Sequence, residues 1–204
     1  MKENAGFIKY KTVLILFFLV FCLAAFPVSA QQNKSFSWSM ALQNIKSGDL
    51  LPLSAPISSF TGEKFRLQIN PTSECYAYVI YEGPSGDDVA VLHAGPLKGG
   101  EAWLSQILEL APPKGAESFY VIASLEEQKT LNQRITSFKA NSGSVQRRAL
   151  MNEIFRLRSD VSKFKEAPEK PVLMGGASRG NPGKNQGVEY SGLDTYVKTI
   201  SIEH

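Results

Sequence analysis

Histidine, cysteine and the carboxylates near them set what chemistry this chain can do. It has two histidines, His93 and His204, and two cysteines, Cys22 and Cys75. Protein zinc sites draw three or four His, Cys or carboxylate ligands from set spacings. Two isolated histidines do not supply that pattern, so no metal ligand is expected. A Ser-His-Asp arrangement can be built only on His93, with Asp87 and Asp88 across its own hairpin, and no Gly-x-Ser-x-Gly nucleophile elbow occurs. His93, near a strand end, reads as a solvated or hydrogen-bonded side chain, and His204 as a residue at the end of the sequence. No catalytic residue and no cofactor-binding residue is expected.

Three other clusters invite a functional reading and have a plainer structural one. Gly175 to Gly187 is glycine-rich, but Ser178 stands where a phosphate-binding loop needs glycine, and Asn185 stands where it needs Ser or Thr. A flexible loop is the better reading. Glu126 and Glu127 are adjacent carboxylates at a helix start, where negative charge suits the helix dipole. Arg147 and Arg148 sit near the start of a second helix, where positive charge is slightly unfavourable. They and Trp103 are the candidate interaction residues, against the commoner reading of a solvated face. Trp38, Trp103, Tyr78 and Tyr120 could line an aromatic groove, but their alternation favours core packing.

The N-terminal thirty residues bear on where the chain works. Lys2, Lys9 and Lys11 precede an unbroken apolar run from Val13 to Phe26, and Val28 and Ala30 offer small residues before Gln31. That is the three-part pattern of a secretory signal peptide. As a helix the run would span only about 21 Å, short of the roughly 30 Å hydrocarbon core. Cleavage near Ala30 is therefore expected over an uncleaved anchor at 13–26. A lipoprotein reading of Cys22 fails because Phe21 precedes it. Loss of residues 1–30 removes three lysines and one glutamate from the 22 basic and 19 acidic residues. The excess of one positive charge that remains implies no nucleic-acid partner, and no stable membrane span would survive cleavage. Cys75 would be left alone, with no internal disulfide, as a small buried hydrophobe.

The elements that must position these residues are mostly strands. Phe36 to Leu42, Phe65 to Ile69, Cys75 to Tyr81, Val89 to His93, Ser118 to Ala123 and Tyr196 to Ile202 have strand character, with a further strand near Leu108 to Leu110. Cys75 to Tyr81 is apolar or aromatic on both faces, as a strand covered on both sides would be. Pro52 and Pro56 exclude a central strand between Leu51 and Ile57. Ser124-Leu125-Glu126-Glu127 fits a capping box opening a helix near 125–140, with Leu131, Ile135 and Phe138 on one face. A second helix near 145–165 carries the stripe Leu150, Ile154, Leu157, Val161 and Phe164. The fold class expected is mainly β (α+β): an antiparallel β-sandwich-like domain, residues 31–204, with a two-helix insertion before the last strand.

Phe65-Arg66-Leu67-Gln68-Ile69, Tyr76-Ala77-Tyr78-Val79-Ile80 and Leu92 resemble the bacterial extracytoplasmic domain of unknown function 4384. The match continues through Pro112-Pro113-Lys114-Gly115-Ala116-Glu117 and Phe119-Tyr120-Val121-Ile122-Ala123-Ser124. It departs from that pattern at His93-Ala94-Gly95-Pro96, where the family has proline sooner after the leucine. The resemblance implies a β-rich exported bacterial module, periplasmic or secreted, and no catalytic residue. The expected function is noncatalytic binding of a protein or cell-envelope component. The alternatives are a hydrolase using His93 and a structural surface protein that self-associates through the helix at 145–165.

Overall fold

Alternation of apolar and polar residues builds the first sheet. In the computed structural model, which describes residues 36–51, 53, 56–162, 170–173, 186–192 and 194–204, strand β1 (Phe36–Asn44) pairs antiparallel with β4 (Lys64–Pro71). Trp38, Met40 and Leu42 of β1 and Phe65, Leu67 and Ile69 of β4 point to one side and are at most 1% exposed. The polar residues between them form the other face. β11 (Gln186–Gly192) and the two-residue β2 (Leu50–Leu51) flank β1 on its other edge, and β10 (Lys170–Leu173) pairs with β11. β7 (Trp103–Leu104) and β8 (Leu108–Glu109) pair with β4.

The second sheet runs β3 (Ile57–Ser58), β12 (Thr195–Glu203), β9 (Ala116–Ser124), β5 (Cys75–Glu82), β6 (Val89–Leu97). All its pairings are antiparallel except the short β3–β12 contact. Its central strands are apolar on both faces because both faces are covered. Cys75, Ala77, Val79, Phe119, Val121, Ile200 and Ile202 meet the first sheet. Tyr78, Ile80, Tyr120, Ile122 and Val197 meet helices α1 (Lys129–Ala140) and α2 (Ser144–Ser162). The layers are thus sheet, sheet, helix pair, with one apolar core in each gap. A ring cluster closes one region of the inter-sheet core, with Trp38 5.5 Å from Tyr190 and 5.6 Å from Tyr196.

The mainly β, sandwich-like architecture is the expected one, with differences in detail. The last strand is preceded not by the helices alone but also by the β10–β11 hairpin, and Gln186-Gly187 belongs to β11. The expected loop at 175–185, the leader at 1–30 and Phe164 lie outside the described residues. The capping box does not form. Ser124 is still paired in the sheet, 1% exposed, and α1 starts at Lys129 with no side-chain cap. Instead the Tyr78 hydroxyl accepts the Gln128 backbone N–H at 3.0 Å, and Gln128 Nε2 donates to Ser124 Oγ at 2.8 Å. Sheet pairing claimed the serine, and the sheet's own tyrosine met the helix-start amide.

Close backbone approach at Gly99 fixes the crossing between sheets. A Cβ there would lie 2.7 Å from Ser73 Cα, and the neighbouring Gly100 N–H donates to the Pro71 carbonyl at 2.8 Å. The chain from β6 can therefore lie on the β4–β5 turn and deliver Trp103 to the edge of β4.

The α2 stripe is the cheapest test of the helical layer. Leu150 and Ile154 are fully buried and Leu157 is 6% exposed. Ile154→Ala should lower the free energy of unfolding by about 2–5 kcal/mol through lost transfer energy and a residual cavity. Val145→Ala, at a residue 73% exposed, should change it by less than about 0.5 kcal/mol. Urea titration of both variants checks the contrast.

Candidate functional site

The residues singled out in the sequence do not converge. Trp103 belongs to the first sheet, whereas Arg147 and Arg148 ride on α2, against the far face of the second. Arg147 is held within the chain: Nη1 donates to the Asp87 carbonyl at 2.8 Å and Nη2 to Asp87 Oδ1 at 2.5 Å. It ties α2 to the β5–β6 turn, while Arg148 is exposed. Glu126 and Glu127 are exposed ahead of α1, where Glu127 accepts from Asn132 Nδ2 at 2.5 Å. The aromatic residues are core rather than groove. Trp38 and Tyr78 are fully buried and Tyr120 is 5% exposed, in two different layers. Cys75 is buried beneath the first sheet, and burial, with Glu74 adding to it, pushes its thiol up to about 11, far from the range of a reactive thiolate.

Part of the α2 stripe is taken up within the chain. Leu150, Ile154 and Leu157 pack in the core between the helices and the second sheet, so these three are not free to join copies.

His93 and Trp103 bring the edges of the two sheets together. In the β5–β6 ladder Val79 faces His93 and Ile80 faces Val91, so Leu92 is the extra residue of a β-bulge, which re-aims the strand locally. The His93 ring then lies 5.0 Å from the Trp103 ring. Its Nε2 is buried with no hydrogen-bond partner among the described residues. Burial lowers the affinity of this imidazole for a proton; a backbone hydrogen bond at Gly95 opposes the shift, and the Lys139 charge adds to it. Asp87 is engaged by Arg147, and neither Asp87 nor Asp88 is among the groups that shift His93. The half-buried imidazole packs against the indole, and among the described residues no hydrogen bond joins its Nε2 to an acid or a nucleophile.

The segment after Trp103 carries exposed apolar side chains, with Leu104 opposite Gln68 on the first sheet's outer face. Leu104, next to Trp103, is 50% exposed and Ile107 is 47% exposed. β6 ends its sheet, so its outer backbone groups pair with no strand among the described residues. Its nine residues, Val89 to Leu97, include no lysine, arginine or carboxylate, the charges that usually blunt an edge. The bulge at Leu92 and Pro96 are its protection.

A second polar centre was missed in the sequence. Glu117 is 3% exposed, and His204 Nε2 lies 3.2 Å from its Oε1. A glutamate as the one charged residue of the strand Ala116 to Ser124 was the available signal, but its partner is 87 positions away. Among the described residues no group of three or more His, Cys, Asp or Glu is placed to hold a metal ion, and no helix is long and apolar enough to cross a membrane. No protein-family model matches the chain, and no curated protein matches it.

Because burial disfavours the charged form of His93, the unfolded chain binds that proton more readily than the folded one. The stability this group contributes is present above its ordinary value of 6.5 and is lost as pH falls through it toward the lowered one. Wild-type melts between about pH 7 and 5 should show this loss, and His93→Gln should flatten that part of the profile. An unchanged slope in the variant would assign the acid sensitivity elsewhere.

Proposed function

We propose that the chain is an exported, noncatalytic module of the kind its resemblance to the domain of unknown function 4384 implies, and that it binds a protein or envelope component in the periplasm or outside the cell. The observations that carry the binding reading are the β6 edge, unpaired among the described residues, and the exposed Leu104 and Ile107 of the segment that follows it in the chain. An open strand edge offers backbone donors and acceptors to an extended segment, and neighbouring apolar side chains supply the anchors. Trp103, against His93, ties the segment of Leu104 and Ile107 to β6. Arg148 contributes, at most, a separate contact on the helical face. The export reading rests on the three-part leader pattern, and the noncatalytic reading on the engagement of His93, Asp87 and Cys75 in packing and internal pairing.

Site-specific photocrosslinking in the native cell tests this directly. A crosslinking residue at position 104 should capture a discrete partner that the same residue at Ser137, on the exposed face of α1, does not. With that partner purified, Leu104→Asp should weaken binding about tenfold or more, the usual loss for one interface anchor, with circular dichroism unchanged. Equal capture from both positions, or undiminished binding by the variant, would contradict the proposal.

A further inference from the structure

An enclosed polar cluster lies where β9 begins and β12 ends. The Glu117 side chain is 4% exposed and the His204 side chain 0%. His204 Nε2 is 3.2 Å from Glu117 Oε1, and Nδ1 is 3.0 Å from Thr61 Oγ1. The Glu117 carboxylate also accepts hydrogen bonds from the Tyr81 hydroxyl and the Ala111 backbone N–H. Behind this pair the backbones lock: His204 N–H donates to the Gly115 carbonyl at 3.1 Å and Gly115 N–H returns to the His204 carbonyl at 3.0 Å. Gly115 has φ 153°, and a Cβ there would lie 2.7 Å from Pro84 Cβ. Only glycine lets the two segments close at this point. One residue earlier, the Glu203 carbonyl accepts from the Ser59 N–H at 2.8 Å. That bond carries the fastening on to β3 and its following turn.

We propose that Glu117 and His204 form a proton-operated fastener, which holds the end of β12 together with β3 and Thr61 while the pair retains one proton and releases them when that proton is lost. With one proton the pair carries no net charge, and the 3.2 Å approach of Nε2 to Oε1 compensates the charge separation although Nε2 makes no hydrogen bond among the described residues. Without it a buried carboxylate faces a neutral ring, and an uncompensated buried charge is the costly state. The groups facing the pair do not relieve this. Tyr81, from β5, and the Ala111 amide are neutral donors. Thr61 meets only the other ring nitrogen. Asp88, on the β5–β6 turn, acts on Tyr81 with a further negative charge, and Glu203 is exposed. Burial raises the Glu117 carboxyl above its usual value, with the charge of His204 the largest opposing influence. The folded chain therefore keeps this proton to a higher pH than the unfolded one. The contribution is full below the usual carboxyl value and disappears as pH rises through the raised one. The device is independent of the β6 edge and of any partner there.

Hydrogen exchange read by mass spectrometry on the full chain, corrected for the intrinsic rise with pH, tests the fastener. Opening of segments 57–63 and 199–204 should increase about tenfold over the pH range in which the pair loses its proton, the equivalent of about one pKa unit of coupling, while segment 76–80 stays protected. Glu117→Gln should abolish that pH dependence. Tyr81→Phe, which removes a donor from the carboxylate and keeps the ring, should move the midpoint to higher pH, a readout that holds even if the glutamine variant folds poorly. Opening that is flat with pH in the wild type, a glutamine variant with the wild-type profile, or an unmoved midpoint in Tyr81→Phe would each overturn the proposal.

Discussion

Burial of the second sheet on both faces is the constraint from which the rest follows. β5 and β9 lie side by side at its centre. Residues of one parity fill the gap to the first sheet, and residues of the other fill the gap to the helices. Neither α1 nor α2 would have a partner for its apolar stripe without that second face. An amphipathic helix of this length draws most of its stability from such packing. The first sheet, by contrast, presents a polar outer face with Gln68, Asn70 and Ser39 exchanging hydrogen bonds, as one solvated face of an antiparallel sheet should.

Polar groups inside this frame are engaged where they tie separate segments together. Tyr78, on the helix-facing side of the sheet, holds the entry to α1. Glu82 accepts from the Tyr120 hydroxyl at 2.7 Å across neighbouring strands, and on α2 Arg156 spans the largely buried Glu153 and Asp160. The titratable residues with unusual environments act in opposite senses. His93 loses its contribution as acid is added, and Glu117 loses its own as base is added. Their physical cause is the same: charge is expensive wherever the two apolar layers enclose it.

Periodicity made most of the framework legible. Phe65-Leu67-Ile69 and the two-sided run from Cys75 to Tyr81 identified a one-faced and a two-faced strand, and the stripe through Leu150, Ile154 and Leu157 identified a surface-packed helix. Short pairings such as β7 and β8 were hard to read because two residues carry no period. Val188 and Tyr190 do alternate, but the glycine-rich stretch before them obscured β11. Ser124 satisfied a local capping rule that loses to the hydrogen bonds of the sheet. Long-range pairs were beyond the sequence altogether. Nothing local to Glu117 points to His204, and Arg147 looked like a free surface charge because Asp87 is distant in the chain. The edge at β6 depended on strand order, which turns and alternation do not determine.

Native-state hydrogen exchange resolved by residue tests the central claim most directly. If two-sided burial of the second sheet organises the domain, the amides of Ala77 to Ile80 and of Val121 and Ile122 should exchange only through global unfolding and be the slowest in the chain. Those of β1 and β4, covered on one side, should be faster. Slowest exchange in β1 and β4, with β5 and β9 opening by local fluctuation, would contradict the account.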